Sequence, residues 1–303
     1  MTPGSYVIIS PVKNEERYVE ATLQSVLSQT VKPVRWIIVD DGSSDRTPEI
    51  LRRYAQQADW IHILRLDHTQ SRQPGTPVVY AFRRGFELVR PQTAQFVVKL
   101  DCDVKLPPDY FELLLARFAE DPELGSASGI YLEEQDGNSW QPVPMPSYHA
   151  AGASKMMRAD CYRQIGGFVQ SPGWDTVDEI RAEVRGWKTR HFEEIRFHHL
   201  KREGSGIGSL ATSVMHGRVY YLTGGGKLFL LLKILHRMIS ERPYLLSGLA
   251  LLWGFLKTMF SGQRKLVTSE EARFYARRLN RRIWGSPRIF FQPSHESHPG
   301  ASE

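Results

Sequence analysis

Cysteine is nearly absent. The 303 residues hold two, Cys102 and Cys161, too few for a disulfide framework or a Cys-x-x-Cys metal site, and a reducing compartment is the expectation. Residues 1–20 carry no basic stretch followed by an apolar core, so no signal peptide is expected. No internal repeat is present. The chain also lacks a Gly-rich loop at its first strand-to-helix turn: 8-IISPVKNEE-16 stands there instead. The late 224-GGGK-227 has no Ser or Thr after the lysine, and 204-GSGIG-208 is not GxGxxG. Neither of these last two supports ATPase or dehydrogenase chemistry, and the missing Gly-rich loop argues against a sugar-phosphate nucleotidyltransferase. Acidic residues are scarce in the last third. Residues 1–200 hold 23 Lys+Arg against 27 Asp+Glu, whereas residues 201–303 hold 16 against 6. An anionic partner for the basic third follows. The basic run 272-ARFYARRLNRRIW-284 comes without a nucleic-acid motif, so no nucleic acid is expected.

Apolar runs are short, and they alternate with helical patterns. YVII (6–9), RWIIVD (35–40), IHILRL (61–66) and FVVKL (96–100) read as buried strands. Between them, Val19, Leu23, Val26 and Leu27 recur at helical spacing, 47–57 reads as a helix capped by Thr47 with Pro48 following, and 78–89 as a third. Alternation of this kind predicts an α/β fold with a mixed, mainly parallel sheet and flanking helices. Further strands are expected near 126–133 and 152–158, a helix over 172–187 with Asp175 as N-cap, and a strand region from 189. The loops SPVKNEE, DDGSSD and DCD all follow strands, at the sheet edge where ligands of such folds collect.

Two carboxylates one residue apart, Asp101 and Asp103, leave the fourth strand together. Hard divalent cations take such oxygen ligands, often only one or two from protein, with phosphates completing the shell. Mg²⁺ or Mn²⁺ bridging a diphosphate is the chemistry this implies.

In 6-YVIISPVKNEERYVEATLQSVLSQT-30, 36-WIIVDDGSSDRT-47 and 99-KLDCDVKLPPDYF-111, taken in that order, the chain resembles family-2 glycosyltransferases of the GT-A nucleotide-sugar fold. The resemblance implies a hexosyltransferase-type enzyme. It would move a sugar from a UDP- or GDP-linked donor to a hydroxyl of a glycan or lipid-linked acceptor in envelope polysaccharide synthesis. Pro11, Val12, Asn14 and Glu15 match the first nucleotide-binding loop. Asp41 matches the position that meets the base, with Asp40 beside it. Asp101 and Asp103 match the donor and metal pair. Lys13 departs from the family's usual residue. The catalytic base of inverting members aligns with Asp175 on one reading and Asp178 on another. A third metal ligand would come from His198 or His199, His199 slightly ahead, while Lys201 and Arg202, and more weakly Arg72, would meet the diphosphate. The competing readings are a sugar-phosphate nucleotidyltransferase and a non-catalytic nucleotide-sugar-binding membrane scaffold.

Residues 1–215 are expected to form the catalytic domain, 216–285 a helical, membrane-interfacial region, and 286–303 a flexible tail. The apolar stretches in 227–260 break at Arg242-Pro243 and are fringed by Lys233, His236, Arg237, Lys257, Arg264 and Lys265. They suit an interfacial or re-entrant element better than a span, and the expected location is cytoplasmic, at the cytoplasmic face of a membrane.

Overall fold

The computed structural model describes residues 4–66, 77–90, 94–135, 139–201 and 208–285. The chain divides into two compact units, Met1–Arg202 and Glu203–Glu303.

The first unit opens with β1 (Tyr6–Val12), α1 (Val19–Leu27), β2 (Arg35–Asp40), α2 (Thr47–Ala55), β3 (Ile61–Arg65), α3 (Pro77–Phe86) and β4 (Phe96–Leu100). These four strands lie parallel in the order β3-β2-β1-β4. Alternate residues of each strand feed different cores, the signature of a sheet covered on both faces. Tyr6, Ile8, Trp36 and Ile38 pack with Leu23, Leu51, Phe111 and Phe118. Val7, Ile9, Ile37 and Val39 pack with Val79, Phe82, Tyr162 and Phe168.

Past β4 the sheet becomes mixed. The remaining elements are β5 (Val104–Lys105), α4 (Tyr110–Glu120), β6 (Leu124–Gln135), β7 (Ser139–Pro142), β8 (Ser154–Arg158), α5 (Ala159–Gln164), α6 (Trp174–Val184) and β9 (Lys188–His199). The sheet continues β4-β8-β6-β9-β5, with β7 against β6. β8 is antiparallel to β4 and β6, and β9 runs parallel to β6. Gly129 lets β6 and β9 approach closely, because a Cβ there would stand 2.3 Å from the Ile195 carbonyl oxygen.

Two expected caps are placed differently. Thr47 is the first residue of α2, and its hydroxyl accepts from the Glu15 N–H at 2.9 Å. The Thr47 N–H is met by Asp45 Oδ1 at 3.0 Å. Asp175 lies inside the first turn of α6, whose cap is Gly173 with φ of 85°; a left-handed residue there favours glycine.

The second unit holds α7 (Ser209–Leu222), α8 (Lys227–Ser240), α9 (Leu246–Phe260) and α10 (Ser269–Gly285). The expected boundary at residue 215 falls within α7. Tyr220, Phe229, Leu230, Ile234, Leu251 and Leu279 form its core. The glycines of GGGK end α7: Gly224 has φ of 74°, and Tyr220 lies over Gly225 and donates to the Gly226 carbonyl at 2.7 Å. Arg237, expected on a solvent fringe, is instead buried, bonded to Ser213, His216 and Glu241. Among the described residues no helix is long and apolar enough to cross a membrane. The expected tail, 286–303, lies outside the described residues.

Candidate active site

Parallel register brings the first two loops together. Val12 pairs with Asp40 and Asp40 with Arg65, so the ends of β1, β2 and β3 lie level. The loops are then stitched side chain to backbone. Asn14, at φ of 55°, accepts from the Ser44 N–H at 2.8 Å, and its own N–H donates to Ser43 Oγ at 3.0 Å. Asp40 is spent inside its loop. Its buried carboxylate accepts from the Ser43 N–H at 2.8 Å and pairs with Arg65 at 3.2 Å. Asp41 is the one that faces the cleft, with Pro11, Val12, Lys13, Glu15, Asp101 and Asp103. Lys13 lies across Asp41, 3.0 Å from its carbonyl and 3.5 Å from its carboxylate.

The Asp-Cys-Asp turn works by alternation. Cys102 is buried in the core while the flanking carboxylates stay half-buried at the cleft. Lys99, buried at the end of β4, holds Asp101 Oδ1 at 2.5 Å. Directly after the turn, β5 pairs antiparallel with β9, setting Val104 opposite His199. β6 sets Glu133 opposite the same histidine. His199 Nε2 therefore stands 3.6 Å from Asp103 Oδ1, and Nδ1 3.0 Å from Glu133 Oε1. His198 faces elsewhere, with its ring edge to Trp140 at 4.5 Å. Burial alone would lower the His199 pKa, but the neighbouring carboxylates of Asp103 and Glu133 carry it up to about 10. Nothing local in the sequence pointed to Glu133.

Glu15 accepts from Lys201 at 2.6 Å, which fixes a cation beside the cleft. Burial raises the Glu15 pKa. Its second oxygen, Oε2, and Asp103 Oδ1 are buried without a hydrogen-bond partner among the described residues. Buried oxygens left this way call for a cationic or donor partner. No three His, Cys, Asp or Glu side chains among the described residues converge as a ready-made cation cage. The donor set still fits a hard divalent cation that takes further ligands from substrate phosphates, as Mg²⁺ commonly does. Arg72 and Arg202 lie outside the described residues.

The two candidate bases differ in setting. Asp178 is buried and bonded through both oxygens to Lys155 at 2.9 and 3.1 Å. Burial lifts its pKa to about 7. Glu179, also buried, meets His149 at 2.8 Å and the Ala150 N–H at 2.9 Å. Asp175 is half-buried at the start of α6. Its neighbour Trp174 has Lys99 and Lys155 over its ring at 5.5 and 5.3 Å. Lys99 in turn holds Asp101, so the head of α6 adjoins the Asp-x-Asp turn.

A family profile, Glycosyl transferase family 2, matches residues 7–173, more than half of the sequence. The chain belongs to glycosyl transferase family 2. Among curated relatives, this family-2 chain is 34% identical to the putative teichuronic acid biosynthesis glycosyltransferase TuaG of Bacillus subtilis, over 43% of its own length and 48% of that protein's. It is 25% identical to the uncharacterized glycosyltransferase YibD of Escherichia coli, over 48% of itself and 40% of that protein. The chain thus spans less than half the length of these relatives. Its fold is similar to mannosyltransferase PcManGT from Pyrobaculum calidifontis, solved with GDP-Man and Mn²⁺ (TM-score 0.53, 15% identity, 94% of this chain and 82% of that one). It is likewise similar to S. aureus TarS 1-349 with UDP-GlcNAc (TM-score 0.52, 18% identity, the same coverages). At these identities the likeness concerns the fold, which is the GT-A-like α/β architecture expected from the sequence.

Proposed function

We propose that this family-2 chain is a metal-dependent, inverting glycosyltransferase that takes a UDP- or GDP-linked sugar. The observation carrying the reading is the convergence of Asp41, Glu15, Asp101 and Asp103 on one cleft, with buried oxygens of Glu15 and Asp103 unsatisfied among the described residues. Structural neighbours solved with GDP-Man and with UDP-GlcNAc support it.

Asp41 accepts N–H groups of the base at the end of β2, and Asn14 keeps that loop in place. Asp103 and His199 would hold Mg²⁺ or Mn²⁺, with Asp101 alongside and Glu133 behind the histidine. A divalent cation bound there neutralises charge developing on the departing diphosphate. Lys201, fixed on Glu15, adds a second positive charge near the phosphates. Of the two aligned acids, Asp175 suits the base, because Asp178 has both oxygens committed to Lys155 in the interior. The acceptor oxygen attacks the anomeric carbon as its proton passes to Asp175, and the bond to the diphosphate breaks on the opposite face. The acceptor is a glycan or lipid-linked hydroxyl at the cytoplasmic face of a membrane, within envelope polysaccharide synthesis.

Release of nucleoside diphosphate from a panel of UDP- and GDP-linked sugars, with a saccharide acceptor present, tests the reading. Turnover should require Mn²⁺ or Mg²⁺. Asp175→Asn should lose about 10²–10⁴-fold in turnover while keeping donor affinity; undiminished turnover in that variant would remove Asp175 from the base role.

A further inference from the structure

The helices α8 and α9 are apolar on two opposite faces. On α8, Phe229, Leu230 and Ile234 enter the core of the second unit, whereas Leu228, Leu231, Leu235 and Ile239 are exposed, Ile239 at 76%. These four recur every three or four residues and so form one stripe. On α9, Leu251 is buried, with Gly248 and Gly254 on the packed side. Leu246, Leu249, Trp253 and Phe260 form a second exposed stripe, Trp253 at 60% and Phe260 at 80%. Between the two helices, Tyr244 and Leu245 are exposed as well. A helix that is apolar all round is ordinarily enclosed by protein or lipid, and a patch of this extent marks an interaction surface.

Charge selects the occupant. Residues 227–260 contain five Lys or Arg and one acid, Glu241, which is paired with Arg237. Lys227 and Arg242 are exposed beside the stripes, Lys257 is exposed within the second stripe between Trp253 and Phe260, and Arg264 and Lys265 follow α9. At 14 and 15 residues the helices are shorter than the roughly 20 a span needs. We infer that the α8–α9 hairpin is a monotopic docking surface for an anionic lipid bilayer. The leucines and isoleucine of the stripes, with Leu245 and Phe260, enter the acyl boundary, Trp253 and Tyr244 sit at headgroup level, and the lysines and arginines meet lipid phosphates. This deepens the membrane-face reading above by naming the surface and the lipid class. Lipid binding is read without sugar transfer, so either can fail alone.

The test is flotation of the full chain with vesicles of phosphatidylcholine alone and of phosphatidylcholine mixed with phosphatidylglycerol. Wild type should float with the anionic vesicles, be released by high salt, and bind neutral vesicles far more weakly. Leu235→Ser with Trp253→Ser should weaken anionic-vesicle binding about tenfold or more. Lys227→Gln with Lys257→Gln should weaken it by about fivefold per charge, both pairs melting like wild type. If the serine pair melts early, the charge pair and the salt release carry the test. Equal flotation with both vesicle types would overturn the anionic selection. Failure to float, with dimers in solution that the serine pair converts to monomers, would show that a second copy covers the face and would overturn the inference.

Discussion

Glu133 shows how much of the site depends on one carboxylate remote in sequence. Its Oε1 takes the Nδ1 side of His199, leaving Nε2 directed at Asp103. Metal-binding histidines are commonly oriented by such a partner. Glu133→Leu in chelator-treated protein should therefore weaken Mn²⁺ affinity by about 10–100-fold, read from the free Mn²⁺ signal in electron paramagnetic resonance. Glu133→Gln, which keeps an acceptor oxygen, should lose less. Unaltered Mn²⁺ affinity in the leucine variant would leave Glu133 a merely structural residue. Asp40 carries the opposite lesson. It shares the acidic motif with Asp41, yet Ser43 and Arg65 consume its oxygens, and only the neighbouring carboxylate faces the cleft.

At the scale of elements, close backbone approach shapes the second unit. A Cβ at Gly217 would lie 1.9 Å from the Leu251 carbonyl oxygen, and one at Gly254 would lie 2.0 Å from that of Val214. Neither neighbour is a flexible side chain. Gly217→Ala should force α7 and α9 apart, at a cost of about 1–3 kcal/mol, and lower the melting temperature in a calorimetric scan; an unchanged melt would mean that the pair relaxes freely. The parallel half of the sheet was legible in the sequence because β1, β2 and β4 carry the apolar runs YVII, WIIV and FVV and lead into polar loops. The mixed half was less so. β5 has two residues, too few for any pattern, yet it sets Val104 against His199. Glu133 meets that histidine only through the β6–β9 register, a relation between elements some 60 residues apart that no local spacing encodes. Asp175 has the residue type of a cap, but Gly173 holds that position because the chain enters α6 through a left-handed turn.

For the whole molecule, the two units divide the chemistry. The first gathers acidic side chains around a cleft at strand ends, and the second presents basic and apolar helices. The acidic loops suit a cation and a diphosphate, the basic helices an anionic surface. In the proposed reaction, donor binding to the first unit is coupled to a divalent cation held at Asp103. Calorimetric titration of UDP-GlcNAc and GDP-Man into chelator-treated protein, with and without added Mn²⁺, in wild type and Asp103→Asn, tests it most directly. One donor should bind wild type only with Mn²⁺ present, and Asp103→Asn should bind neither donor while melting normally. Equal donor binding in excess chelator, or undiminished Mn²⁺-dependent binding by Asp103→Asn, would contradict it.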